Sequence, residues 1–233
     1  MIWVLAPTGG EARALARVVP LAASGSWSLH RIAMGPARAA DATRALLTRE
    51  RPDAVLLAGL AGGLDPTLAI GDVVVPTRHH ALHGGALGDA VEMTAALTER
   101  LTCGLAKAGI PHRLGAFLTS PRVLADPNEK RAFGDRGCLA VEMEGLAVAQ
   151  VCHEHGVPCA SVRVVLDPVE HRLPDLSGAV DDRGEVRLRR LIRRVLERPG
   201  LIGDIPPMLR AARTAHGVLA DVVRRIAPGL RAP

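Results

Sequence analysis

Val141-Glu142-Met143-Glu144-Gly145-Leu146-Ala147-Val148-Ala149-Gln150, followed by Val157-Pro158 and then Val162-Arg163-Val164-Val165-Leu166-Asp167, is the stretch whose reading decides the fold. Residues 138–143 are apolar and short, as a buried strand is, whereas residues 145–153 are apolar nearly all round, as a buried helix is. Gly156 and Pro158 stop that helix, and His153 and His155 fall in its last turn, where positive character suits the exposed carbonyls. Cys159 to Leu166 reads as a second continuous apolar strand. A strand, helix, strand unit of this length predicts a right-handed parallel crossover, and ligands of such sheets gather beyond the carboxyl ends of the strands. Glu142 and Glu144 at the end of the first strand and Asp167 at the end of the second are therefore expected to converge on one rim.

Working outward, 233 residues with 48% hydrophobic content suit one large α/β domain. Strands are expected at Ile2–Ala6, Arg31–Met34, Ala54–Ala58, Gly71–Pro76 and Leu114–Thr119, and helices at Glu11–Val19, Ala37–Arg49 and Thr94–Ala108. That alternation predicts a mixed, mostly parallel central sheet flanked by helices. Ser120–Pro127 reads as a loop, as does Gly59-Leu60-Ala61-Gly62-Gly63, whose glycines let backbone amides approach a ligand. Glu11 follows the first strand and its Pro7-Thr8-Gly9-Gly10 turn, which places it at the same kind of rim as the other acids.

Charge divides the chain. From Glu185 onward eleven arginines face four acids, so the overall net charge of +5 comes from this region and residues 1–184 are slightly acidic. Leu188, Leu191, Ile192, Val195 and Leu196 repeat at helical spacing, Pro206-Pro207 reads as a break, and a second helix begins at Met208. The expected organisation is an α/β domain over 1–184 and a basic amphipathic helical extension over 185–233, packed on or beside it. Cys103, Cys138, Cys152 and Cys159 show no paired or metal-like spacing, which points to reduced thiols and the cytosol. Neither a signal peptide nor a run of about 18 apolar residues is found.

These pieces resemble the nucleoside phosphorylase and nucleosidase superfamily. The matching residues are Glu11, the Ala61-Gly62-Gly63-Leu64-Asp65-Pro66 segment leading to Ile70-Gly71-Asp72-Val73-Val74-Val75, and the block from Val141 to Asp167. In detail they are most similar to the methylthioadenosine/adenosylhomocysteine nucleosidases, and the region beyond Asp167 resembles the hopanoid-associated phosphorylases. The resemblance implies cleavage of the N-glycosidic bond of an adenosyl compound, adenosylhopane first, with release of adenine by hydrolysis or phosphorolysis. It also implies that Asp167 is the acid protonating the leaving purine, that Glu11 activates a water, that Glu144 holds the ribose hydroxyls, and that Met143 packs beneath the sugar. Ala61, Gly62 and Val123 are then substrate-binding. Two positions depart from the common pattern: Leu166 stands where relatives commonly have Ser, and Val123 where many have an aromatic residue.

The chemistry agrees with that division of labour, since breaking an N-glycosidic bond builds positive charge on the ribose and negative charge on the base. No cofactor or metal is implied; phosphate enters as co-substrate only if cleavage is phosphorolytic, in which case Arg13 or Arg38 is available to bind it. The runner-up activities are a methylthioadenosine/adenosylhomocysteine nucleosidase and a general purine nucleoside phosphorylase, and Leu166 and Val123 motivate a catalytically silent nucleoside-binding module. Glu142 is expected to form a structural ion pair, and His79, His80 and His83 a polar loop rather than a metal site. With 2% aromatic residues the chain offers little for base stacking, and no nucleic-acid partner is expected. The expected partners are a small or lipid-linked nucleoside and further copies of the chain, with the arginine-rich tail touching the inner membrane surface from the cytoplasm.

Overall fold

The computed structural model describes residues 1–19, 27–171 and 201–230. Its elements run β1 (Ile2–Ala6), α1 (Gly9–Ala16), β2 (Trp27–Arg31), α2 (Pro36–Arg49), β3 (Ala54–Gly63), β4 (Val73–His83), β5 (Ala86–Glu92), α3 (Ala95–Lys107), β6 (His112–Thr119), α4 (Pro127–Gly134), β7 (Cys138–Glu142), α5 (Gly145–Glu154), β8 (Cys159–Asp167) and α6 (Leu201–Ile226). The mixed, mostly parallel sheet expected from the alternation is present. β1 pairs in parallel with β2 and β3, β3 with β8, and β6 with β4 and β7; β3–β7, β4–β5 and β4–β8 are antiparallel.

Following those pairs from β3 through β7, β6, β4 and β8 returns to β3, so five strands close on themselves. β3 and β4 are the long strands of that ring, 10 and 11 residues, and each is hydrogen-bonded to three neighbours. Strand alternation sorts the core into two faces. Ile2, Val4, Ala6, Leu56, Ala58, Val162 and Val164 face one way, onto Leu15, Leu97, Leu101 and α6, while Trp3, Leu5, Val55 and Leu57 face α2 and α5.

The ring corrects several expectations. β7 and β8 do not pair: β7 runs antiparallel to β3 and β8 runs parallel to it, so the predicted parallel crossover is replaced by a turn of the barrel. Ala61 and Gly62 belong to β3 instead of a loop, because β3 must extend past Ala58 to reach both partners. His79, His80 and His83 lie on β4 and not in a loop, with His79 fully buried. β2 precedes Arg31–Met34; it is an edge strand whose Ser28 and His30 are part-exposed, so it lacks the apolar run by which buried strands announce themselves. β5 and α4 were not anticipated.

The C-terminal helix differs most from its reading. α6 continues through Pro206 and Pro207, and its Ala215, Leu219, Val222, Val223 and Ile226 join the same cluster as β1, β3 and β8. Burial of this stripe overrides the local breaker signal, as tertiary packing commonly does. The stripe from Leu188 to Leu196 lies outside the described residues. Since Leu219 is fully buried, Leu219→Ala should lower unfolding free energy by about 2–5 kcal/mol in urea titrations. A loss below about 0.5 kcal/mol would mean that α6 merely lies on the surface.

Candidate active site

Glu11, Ala61, Gly62, Val123, Met143, Glu144 and Asp167, all named from the sequence, line one cavity of about 490 Å³. Arg13, Met34, Arg122, Leu166, Ala212 and His216 line it as well, so α6 contributes part of the wall. Arg38 is not among the lining residues.

Glu11 reaches the cavity as the third residue of α1. Its Oε2 accepts hydrogen bonds from the Thr8 backbone N–H and Oγ1, both at 2.7 Å, closing a capping box with Thr8. Its Oε1 accepts from the Leu60 N–H of β3 at 2.7 Å. The ordinary role of a helix-capping acid and a place in the site thus coexist in one side chain.

At the end of β7, Glu142 is committed to structure. Its Oε2 accepts from the backbone N–H of Glu144 (2.9 Å) and Gly145 (2.6 Å) and from Arg163 Nη2 (2.5 Å), and its Oε1 accepts from Thr119 Oγ1 (2.5 Å), with His79 Nδ1 at 3.3 Å. Burial opposes its charge, but Arg163, His79 and Thr119 prevail and hold its pKa down at about 2. Glu144, two residues past the strand, accepts from the Gly35 N–H at 3.0 Å and lies 3.6 Å from Arg163. Burial and the neighbouring Glu142 charge push it up to about 8, against the pull of Arg163. The shift favours the protonated form, which can both donate to and accept from a hydroxyl.

Asp167 ends β8. Its carboxyl is paired with Lys130 Nζ, which also donates to the Pro168 carbonyl at 3.2 Å. Burial raises its pKa to about 6 even though Lys130 pulls the other way. Lys130 itself went unread in the sequence, because α4 carries few apolar residues; the usable signal was Asp126-Pro127, a capping acid followed by a first-turn proline.

Arg163 was read as one more position of an apolar strand, yet it is fully buried and ties Glu142 to Glu144. Among the described residues, its Nε and Nη1 have no acceptor. A β-carbon at Gly59 would overlap both Arg163 Nη1 and Glu11 Oε1, so only glycine lets these two groups approach each other across β3.

An α/β sheet whose strand ends deliver several buried carboxyl groups to one cavity defines the class of a small-molecule binding or cleaving protein. The family model of the Phosphorylase superfamily matches residues 10–197, and the chain belongs to that superfamily. It is 36% identical over 151 residues to the 5'-methylthioadenosine/S-adenosylhomocysteine nucleosidases of Bacillus thuringiensis (strain Al Hakam) and Bacillus anthracis, a match over 58% of this chain and 64% of each relative's length. Among solved structures, the nucleosidase of the same name from Campylobacter jejuni superposes with a TM-score of 0.71 at 16% identity, covering 97% of this chain and 98% of that one. Native futalosine hydrolase of Helicobacter pylori also gives 0.71, at 17% identity, covering 97% and 96%. These likenesses share the fold found here.

The two site acids raised by burial have a consequence for stability. As pH rises from the ordinary glutamate value of 4.5 toward 8, the unfolded chain releases the Glu144 proton that the folded protein keeps, so stability falls across this window. Asp167 acts in the same direction between 3.8 and about 6, whereas Glu142 supplies stability that is lost as pH falls from 4.5 toward 2. Glu144→Gln should therefore flatten the decline in urea midpoint above about pH 5. An unchanged slope would show that Glu144 is ionised in the folded protein.

Proposed function

We propose that this protein hydrolyses the N-glycosidic bond of an adenosyl compound and releases adenine. The observation that carries the reading is the delivery of Asp167, Glu144 and Glu11 from three separate segments to one cavity, with Asp167 held near the pH at which an acid can give up its proton. As the bond from the anomeric carbon to N9 breaks, its electron pair passes to the purine, which takes the Asp167 proton at N7. The ribosyl cation forms beside Glu144, which engages the ribose hydroxyls, and above Met143. A water oxygen bonds to the anomeric carbon, and its proton passes to Glu11. The choice of water is supported by Glu11, which is hydrogen-bonded at the cavity wall and whose negative charge repels a phosphate.

The assay is adenine release from adenosylhopane, methylthioadenosine and adenosylhomocysteine, each with and without phosphate. Release independent of phosphate is expected, with the rate falling as pH rises through about 6. Asp167→Asn should lower kcat roughly 10²-fold or more while nucleoside binding persists. Tight nucleoside binding with no turnover in the unaltered protein would identify a silent binding module instead.

Adenosylhopane remains the first substrate reading, on the resemblance of the region beyond Asp167, and it brings with it a homo-oligomer and contact of the arginine-rich tail with the inner membrane surface. Val123, 53% exposed at the cavity mouth, is the wall a neighbouring subunit would cover. The membrane contact predicts salt-sensitive binding to anionic liposomes at about 1 kcal/mol per arginine near the surface. Arg187→Gln, Arg189→Gln and Arg190→Gln together should weaken it. Truncation would not test this cleanly, because α6 belongs to the core. No affinity for such liposomes at low salt would remove the membrane from the account.

A further inference from the structure

Lys130 is fully buried, and its ammonium group meets two oxygen atoms, one in the carboxyl of Asp167 and one in the carbonyl of the next residue, Pro168. Burying a lysine is costly unless the charge is paired. α4 contributes little of its own to offset that cost, being eight residues long with few apolar side chains. Its seat is nevertheless closely defined. Lys130, Phe133 and Gly134 follow at i, i+3 and i+4 and share one face. Phe133 is buried among Leu64, Leu118, Leu124, Cys138 and Val141, and a β-carbon at Gly134 would overlap the Leu64 carbonyl oxygen, so the helix lies directly on the chain that leaves β3. The face that anchors α4 is the face that aims Lys130 at the end of β8.

We infer that Lys130 is a positioning residue for the reaction: its ammonium holds the Asp167 carboxyl in place toward the cavity and sets the pH at which that acid retains its proton. The inference rests on the function proposed above and goes beyond it, since a buried cation on the proton donor is no requirement of the bond-breaking step. Leu166 precedes Asp167, so the side chain before the acid offers no hydroxyl to orient it. Lys130 supplies the anchor from another helix. It also limits the effect of burial: Asp167 is raised to about 6, and Lys130 is the largest influence restraining that rise, aided by His171. Arg13 and His216 line the same cavity as the acid, and other charged groups around it have partners of their own. Arg131 and Glu170 pair with each other at the surface, as do Arg122 and Glu129, and Arg163 is engaged by Glu142 and Glu144, while Glu11 is bound by Thr8 and Leu60.

The test is the pH profile of adenine release by Lys130→Met, which keeps the length and apolar stem and loses the charge, beside Lys130→Arg, which keeps the charge. In Lys130→Met the alkaline limb of kcat/KM should move to higher pH by about one unit or more, because an unpaired buried carboxyl holds its proton longer. Its kcat at the new optimum should fall roughly 10-fold or more with a smaller change in KM, as expected for a misaligned acid. Lys130→Arg should keep the alkaline limb of the unaltered protein. A limb that stays in place in folded Lys130→Met overturns the inference, and so does a limb displaced in Lys130→Arg, which also carries the test if the methionine variant fails to fold. Asp167→Asn separates the two levels. If it retains full activity, the acid assignment itself falls; if it is inactive while the limb of Lys130→Met is unmoved, Asp167 remains the acid and only the role of Lys130 is lost.

Discussion

Three carboxyl groups cannot be buried around one cavity unless something offsets their mutual repulsion, and here the guanidinium of Arg163 does so. It lies within the barrel with no solvent exposure, contacts Glu142 at 2.5 Å and Glu144 at 3.6 Å, and brings Nη1 beside Gly59, where Glu11 Oε1 also lies. Removing one partner of such a pair typically costs about 3–5 kcal/mol, because the other charge is left without compensation. The asymmetry of the pairing matters more than its strength. Glu142 takes most of the cation and its pKa is held down, so Glu144 is left under-compensated and its pKa is pushed up. One cation shared unequally moves two adjacent acids in opposite directions.

The second cation, Lys130, divides labour in the same manner at the other end of the cavity. Neither cation faces a substrate as a free charge; each is occupied by a carboxyl group. The cavity wall carries Glu11, Glu142, Glu144 and Asp167, with Arg13 and Arg122 also lining it, and the two buried cations are held by those acids, an arrangement suited to stabilising a positively charged sugar.

Much of the site was legible in the chain because acids at the ends of apolar strands stand out against their surroundings. Glu11, Glu144 and Asp167 each follow a run of buried residues, and all three reach one cavity as expected. The cations were illegible for the same reason in reverse. Arg163 interrupts an apolar strand and resembles an exposed position, and Lys130 lies in a polar helix where a lysine attracts no notice. Period and composition report how a segment meets solvent on average, whereas these two side chains are defined by a partner distant in sequence. The barrel closure escaped detection on similar grounds: β3 reads as a strand up to Ala58, and only its pairing with both β7 and β8 explains why it continues through glycines. The adjacency of β7 and β8 was inferred from sequence proximity, and the ring inserts other strands between them.

The place of α6 in the core imposes an order on biosynthesis. β1 and α1 leave the ribosome well before α6, yet the face formed by Val4, Leu15 and Leu56 is completed by Ala215, Leu219 and Val223, which are translated long afterwards. Until then that face lacks the cover α6 provides, and a nascent chain in that state is prone to association with its neighbours. The barrel strands can pair earlier, since all of them precede Pro168. Chain elongation thus separates the assembly of the acidic rim from the sealing of the layer beneath it, and chaperone demand should concentrate in the interval between the two.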